Sequence, residues 1–245
     1  MKILLAPSEA KSSGGNEVPL QSQHLIFPDL YNKRLDILYA YRDLVSQGDN
    51  EALSTLFGLK KIPQIEAFKQ DIFLLPTKKA IERYTGVAFE YLNYPNLDSD
   101  TQHYIDENVI LFSNLFGPIK ANDKIPEYKL KQGVKMGNLN IEKTYKNLFS
   151  ASLDKYLGEY IIDLRAGFYE KFYTISVPHV AFKFLKNGKV VSHYAKAYRG
   201  KILQHIAQTK PQNYEVLKSS VSSILTLKDI ENKKLKETWV LEIES

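Results

Sequence analysis

The sequence contains no cysteine. Disulfides, thiolate catalysis, Fe–S clusters and zinc–cysteine sites are therefore excluded. No run of about 18 apolar residues occurs, so no membrane-spanning helix is expected. Met1-Lys2-Ile3-Leu4-Leu5-Ala6 is too short an apolar run for a signal peptide and meets Pro7, Ser8 and Glu9 at once, which makes a cytoplasmic location the expectation. The five histidines, His24, His103, His179, His193 and His205, form neither H-x-H nor H-E-x-x-H. No metal and no cofactor is expected. The nucleophile elbow G-x-S-x-G and the phosphate loop G-x-x-x-x-G-K-S/T are also missing. There is no internal repeat, low-complexity tract or flexible linker.

One lack is local. Residues 171–214 carry eight Lys/Arg and no Asp or Glu. The chain-wide frequency would place roughly five acids in a span that long. Within it, Ser192-His193-Tyr194-Ala195-Lys196-Ala197-Tyr198-Arg199-Gly200 interleaves basic and aromatic side chains. Phosphates pair with such cations and bases stack on Tyr. A solvated helix face with no partner has the same composition.

What is present is ordinary for a soluble globular protein: 245 residues, 44% hydrophobic, 25% charged, net charge +5. This length suits one large domain or two intimate subdomains, and a single domain over residues 1–245 is the expectation. Short apolar runs at 3–6, 109–112 and 160–164 read as buried strands, and 238–243 as a last strand. Helical spacing covers 30–45, 142–157 and 196–207, with shorter helices at 51–57, 64–73 and 78–83. Asn187-Gly188 between 180–185 and 189–194 is a hairpin signal. The stretch 117–137 reads as loop. The fold class is α/β (α+β), a mixed β-sheet flanked by helices. The best motif loops, 7–15, 113–124 and 165–169, each follow one of the first three strands. They converge if those strands are parallel neighbours.

Candidate site residues fall on these loops and on the helix after the hairpin. Pro7-Ser8-Glu9-Ala10-Lys11-Ser12-Ser13-Gly14-Gly15 places a carboxylate, an amine and two glycines in one turn. Its glycines could let backbone N–H groups approach an anion, or it is a plain loop. Asp163 and Arg165 share a strand face, either as a structural ion pair or as a phosphate ligand with its orienting carboxylate. Lys196 and Arg199 lie on one side of a helix whose adjacent stripe is Tyr198, Ile202 and Ile206. Gly200 in that helix marks a close approach, of a ligand or of packed backbone. Leu56-Phe57-Gly58-Leu59-Lys60-Lys61-Ile62 fits a helix–hairpin–helix turn, and equally a helix-ending glycine before exposed lysines.

Taken in order, five pieces resemble the YaaA family of bacterial peroxide-stress proteins. They are Leu4-Leu5-Ala6-Pro7-Ser8-Glu9-Ala10-Lys11 with Gly14-Gly15; Tyr84-Thr85-Gly86-Val87 with Phe89; Leu115-Phe116-Gly117 with Asp123 and Tyr128-Lys129-Leu130; Asp163-Leu164-Arg165 with Gly167 and Tyr169; and Ser192-His193-Tyr194-Ala195-Lys196 with Arg199-Gly200. Lys120-Ala121 departs from the family's usual Arg-Pro, Lys129 from its usual Arg, and Lys131-Gln132 before Gly133 from its common acidic or other residue followed by Met. Lys keeps the charge and loses the bidentate fork. The resemblance implies a cytoplasmic protein that helps cells survive peroxide by limiting iron and its damage to DNA. It also implies a single compact α/β fold with a basic cleft for duplex or branched DNA and a helix–hairpin–helix-like element.

Two activities remain open on the residues. A non-catalytic DNA-binding protein would use Lys11, Arg165, Tyr194, Lys196, Arg199 and Gly200 against phosphate. An enzyme acting on a nucleotide or nucleic-acid base, a small-molecule ligand included, would use Glu9, Lys11 and Asp163 as catalytic candidates beside Arg165, Tyr194 and Lys196. Direct iron sequestration is a third reading, and the chain offers it no close His/carboxylate cluster in sequence.

Overall fold

Ile3-Leu4-Leu5, Val109-Ile110-Leu111-Phe112 and Ile161-Ile162 have no polar face to turn toward water, so they must be covered on both sides. In the computed structural model they form the middle of one sheet. The structure describes residues 1–243 and, for Ser192 and His193, the backbone alone.

The chain begins with β1 (Lys2–Leu5), then α1 (Tyr31–Gln47), α2 (Asn50–Phe57), α3 (Ile62–Glu66), β2 (Thr77–Lys79), α4 (Ala80–Arg83), α5 (Val87–Leu92) and α6 (Ser99–Asn108). There follow β3 (Val109–Ser113), β4 (Gly117–Lys120), β5 (Lys124–Pro126), α7 (Ile141–Leu157) and β6 (Ile161–Leu164). The last part holds β7 (His179–Lys186), β8 (Lys189–Val190), α8 (Ser192–Thr209), α9 (Tyr214–Ser222), β9 (Thr226–Lys233) and β10 (Lys236–Glu242).

The main sheet runs β4-β3-β1-β6-β7-β10-β9, with β8 on β7, and β2 and β5 form a separate pair. Strands β3, β1, β6, β7 and β10 are parallel, while β4, β8 and β9 pair antiparallel. The fold is α/β with a mixed sheet, as the alternation of strands and helices suggests. Leu4 sits opposite Ile110 on one side and Asp163 on the other. The three strands that precede the motif loops are therefore parallel neighbours, and their carboxyl ends open at one edge of the layer.

Helices cover the sheet through single apolar stripes. In α7, Tyr145, Phe149, Leu153 and Leu157 recur every four residues and are all buried. Asn140 caps that helix by accepting the Lys143 N–H at 2.8 Å. In α8, Ile202, Leu203, Ile206 and Ala207 are buried. Asn187 and Gly188 both take positive φ, at 51° and 72°, the two-residue turn the hairpin signal calls for.

Several boundaries differ from the sequence reading. The helix expected at 64–73 is only α3, and Asp71 then accepts the Phe73 N–H in a tight turn. The helix expected at 78–83 begins as β2, because Lys78 and Lys79 pair with β5 before α4 starts. The strand expected at 189–194 stops at Val190, where α8 takes over. Residues 117–137 hold β4 and β5, and α5, α6, α9 and β9 have no counterpart in the sequence reading. Among the described residues no helix is long and apolar enough to cross a membrane.

Candidate functional site

The loop after β1 and the loop after β6 face each other across a cleft of about 460 Å³. Ser8, Glu9 and Ala10 form one wall. Ala166 and Tyr169 form another, α5 with its preceding Thr85-Gly86 turn a third, and Lys196 and Arg199 of α8 close the remaining side. Gly86 has φ +99°, a conformation that favours glycine, and a Cβ there would stand a tight 3.2 Å from the Ser8 hydroxyl of the facing wall. The 85–89 turn and Gln132 were not singled out as site residues. The signal available for them was Gly86 itself, breaking the pattern after Tyr84.

Lys196 is exposed and Arg199 half-buried. Burial lowers the Arg199 pKa, and the negative charge of Asp163 works against that. Among the described residues neither cation has a carboxylate within ion-pairing distance. They stand one helical turn apart, both on the cleft side. Tyr194 is exposed, and the Lys186 amine lies 4.6 Å from its ring centroid, away from the cleft lining.

Gly200 is not a ligand position. A Cβ there would stand 2.1 Å from the Ala88 carbonyl oxygen. The glycine exists to let α8 lie directly on α5, and that backbone occupies the space a phosphate would need. Arg165 is also committed elsewhere. Its Nε and Nη2 reach Asp163 at 2.9 Å each, and Nη1 donates to the carbonyls of Tyr169 and Tyr173 at 3.3 and 2.8 Å. Its guanidinium stacks 4.8 Å from the Phe112 ring centroid. Both partners are buried, so of the two readings weighed the geometry is that of a structural ion pair. Burial alone would raise the Asp163 pKa, but the Arg165 charge and hydrogen bonds outweigh it and leave it lowered. The pair ties the end of β6 to the Gly167–Phe172 turn and so fixes the wall that carries Tyr169.

Lys11 sits behind the Ser8–Ala10 wall. Its amine lies 4.1 Å from the Tyr128 ring centroid and 5.3 Å from that of Tyr84. It donates to the carbonyls of Ser8 and Glu9, each at 3.3 Å, and the Lys129 amine donates to the same Glu9 carbonyl at 3.3 Å. Burial first, then the positive charges of Lys129 and Arg83, pull the Lys11 pKa down to about 7, against the opposing pull of Glu9 and Glu127. Below it, the Tyr84 hydroxyl bonds Tyr128 at 2.9 Å, and Tyr128 bonds Ser113 at 2.8 Å. The Glu9 carboxylate accepts the Gln132 N–H at 3.1 Å. The structure thus joins Glu9 and Lys11 through main chain, and leaves Asp163 in its ion pair.

The acid-free stretch does not make an acid-free surface. Lys183 pairs with Glu231 of β9 at 2.6 Å, and Lys210 pairs with Asp100 of α6. The glycine turn at Gly58 is a helix ending: the N–H groups of Gly58 and Leu59 both donate to the Ser54 carbonyl, at 2.9 and 3.2 Å, which spends them inside the cap. Among the described residues no three His, Asp or Glu side chains group as metal ligands would.

The family model described as "Peroxide stress protein YaaA" matches residues 1–230. The chain belongs to the YaaA family. It is 48% identical over 244 residues, 99% of each chain, to an uncharacterised protein of Campylobacter jejuni. It is 33% identical over 255 residues to a UPF0246 protein of Corynebacterium glutamicum, covering 98% of this chain and 99% of that one. A UPF0246 protein of Streptomyces coelicolor is 28% identical over 223 residues, 85% of this chain and 84% of that one.

The YaaA-like segments noted in the sequence contribute to one region of the molecule. Ser8 and Glu9, Gly86, Tyr169, and Lys196 with Arg199 all line the cleft, while Tyr128, bonded to Ser113, lies beneath Lys11. The departures separate: Gln132 lines the cleft. Lys120 bonds Glu107 at 2.9 Å and belongs to another face, near His24 and Asn122. Lys129 stays at the cleft wall through the Glu9 carbonyl.

Proposed function

We propose that this YaaA-family protein acts in the peroxide stress response by binding DNA across the cleft. The observation that carries this is the pair Lys196 and Arg199, which line the cleft and, among the described residues, have no carboxylate within ion-pairing distance, Asp163 acting on Arg199 only by its charge from further off. Arg199, half-buried and without an ion-pair partner among the described residues, is held at a desolvation cost that an anionic ligand relieves, and the exposed Lys196 adds its charge beside it. A cleft of about 460 Å³ has the size of a nucleotide-scale group. A duplex or junction would lie across the mouth and send a phosphate or an unpaired nucleotide inward. Cations placed on DNA phosphates displace the counterions held there. A bound protein would in the same way lower the iron resident on DNA, and with it the damage peroxide causes.

Fluorescence anisotropy with duplex and four-way-junction DNA across a salt series tests this. Affinity should fall linearly in log salt, and Lys196→Ala with Arg199→Ala should lower the slope by about 1–2. An unchanged affinity and slope in that variant would remove the cleft from DNA binding. Protection of supercoiled plasmid from Fe(II)/peroxide nicking, lost in the same variant, tests the iron link.

A second reading is favoured by Lys11. Burial and the neighbouring cations pull its amine pKa down to about 7, which suits proton transfer or nucleophilic attack by an enzyme acting on a nucleotide or base better than it suits a fixed cation for phosphate.

A further inference from the structure

Lys11 and Lys129 share one acceptor, the Glu9 carbonyl, so the two amines lie within two hydrogen bonds of each other. The Lys11 amine is covered by the Tyr84 and Tyr128 rings and, among the described residues, forms no ion pair with a carboxylate. Its hydrogen-bond acceptors are two main-chain carbonyls at a long 3.3 Å, which hold it loosely. An amine desolvated by aromatic rings and set beside a second cation is the arrangement that makes lysine a nucleophile toward carbonyl groups. The same main-chain stretch, Ser8 to Ala10, is a wall of the cleft that Lys196 and Arg199 close from α8. Lys11 is not itself part of that lining: the cleft offers cations for a phosphate, and the Ser8–Ala10 wall stands between it and the amine that a carbonyl would have to reach.

We propose that Lys11 forms an imine with the aldehyde of a phosphate-bearing sugar held in the cleft, the phosphate resting on Lys196 and Arg199. The Lys11 nitrogen adds to the carbonyl carbon. The carbonyl oxygen leaves as water, and the nitrogen gives up its protons in the process, so no oxidant or reductant is consumed. Two sources present this chemistry: the abasic deoxyribose of damaged DNA and a free sugar phosphate. On abasic DNA the imine acidifies the neighbouring C2′ position. Loss of that proton with departure of the 3′-phosphate breaks the strand, and water then releases the lysine. The proposal rests on the cleft reading above for its phosphate contacts.

The groups facing the Lys11 amine are Lys129, Glu9, Arg83 and Glu127 by charge, with Tyr84 and Tyr128 by contact. With the free amine dominant above about pH 7, its labelling should rise through that pH, where surface lysines lag by three units. Lys129→Ala removes a like charge and should move the rise to higher pH.

The test uses the full chain with sodium cyanoborohydride, which reduces an imine to a stable secondary amine. One arm receives a duplex bearing a single abasic site and the other 2-deoxyribose 5-phosphate. Peptide mass spectrometry then locates the adduct in the wild-type protein, so the result does not depend on a variant folding. An adduct concentrated on Lys11, absent in Lys11→Arg, supports the proposal, and the arm that gives it names the source. No adduct in either arm, or label spread over surface lysines with Lys11 bare, overturns it. Anisotropy on undamaged duplex is read in parallel. DNA binding without Lys11 labelling sinks this proposal and spares the DNA reading, while labelling by the free sugar without DNA binding does the reverse.

Discussion

Gly200 and Ala88 meet backbone to backbone, with the Ala88 carbonyl oxygen 2.1 Å from where a Cβ on residue 200 would stand. That contact sets how closely α8 lies on α5, and hence where Lys196 and Arg199 stand relative to the Gly86 turn. Gly200→Ala must push the helices apart. It should cost about 1–3 kcal/mol in urea unfolding, the usual penalty of overpacking, and weaken DNA binding through the displaced cations. Gly167→Ala, where a Cβ meets nothing within 4 Å and φ is not positive, is the control and should be neutral or slightly stabilising.

Arg165→Ala would strand a buried Asp163 carboxylate and empty the space beside Phe112. A loss of about 3–5 kcal/mol is expected, measured by chemical denaturation. The salt slope of DNA binding, measured on the folded fraction, should not change, because this guanidinium is engaged by Asp163, Tyr169 and Tyr173. A reduced slope would make Arg165 a phosphate ligand after all.

The sequence made the centre of the sheet legible for a simple reason. A parallel strand covered on both faces must be apolar throughout, and Ile3-Leu4-Leu5 and Val109-Ile110-Leu111-Phe112 have no alternative use. Helix α6 hid because its Ser-Asp-Thr-Gln-His-Tyr-Ile-Asp-Glu-Asn sequence is almost wholly polar. Only its capping Asp98, which accepts the Thr101 N–H at 2.8 Å, announced it. Strand β9, Thr-Leu-Lys-Asp-Ile-Glu-Asn-Lys, is an exposed edge whose charges discourage further pairing, and they also mask its period. In the site, the order of loops could be read, but the fate of charges could not. Asp163 and Arg165 look the same on paper whether they close on each other or face a ligand, and burial decides.

Asp123 accepts the N–H groups of Ile26 and Lys120 through one oxygen, at 2.7 and 2.9 Å. Burial raises its pKa to about 6, against those two bonds and the charges of Arg34 and Lys120. A carboxyl raised in the folded state adds stability at low pH and loses it as pH climbs through about 6. Asn can accept the same two bonds and does not titrate. Between pH 4 and pH 7 the unfolding free energy of Asp123→Asn relative to wild type should therefore rise by about 1–3 kcal/mol, whatever the offset between the two proteins. A flat difference across that range would contradict the assignment.

For Lys11 the sign is opposite. Its folded pKa, about 7, lies below the ordinary lysine value, so its contribution is present at high pH and lost as pH falls. Lys11→Met does not titrate there, so its unfolding free energy relative to wild type should be greater near pH 6.5 than at pH 10 by about 3–4 kcal/mol, whatever the offset between the two proteins. Paired urea melts at the two pH values measure it.

The cleft draws its walls from residues 8–10, 86–89, 132, 166–169 and 196–199, stretches that lie far apart along the chain. No excised peptide can carry it, not even the basic segment that first draws attention. The site comes into being only when β1, β6 and α8 have all docked. Ligand and native topology are then thermodynamically linked: whatever fills the cleft will also hold together segments distant in sequence, and a chain in which they have come apart loses the site that recognises it.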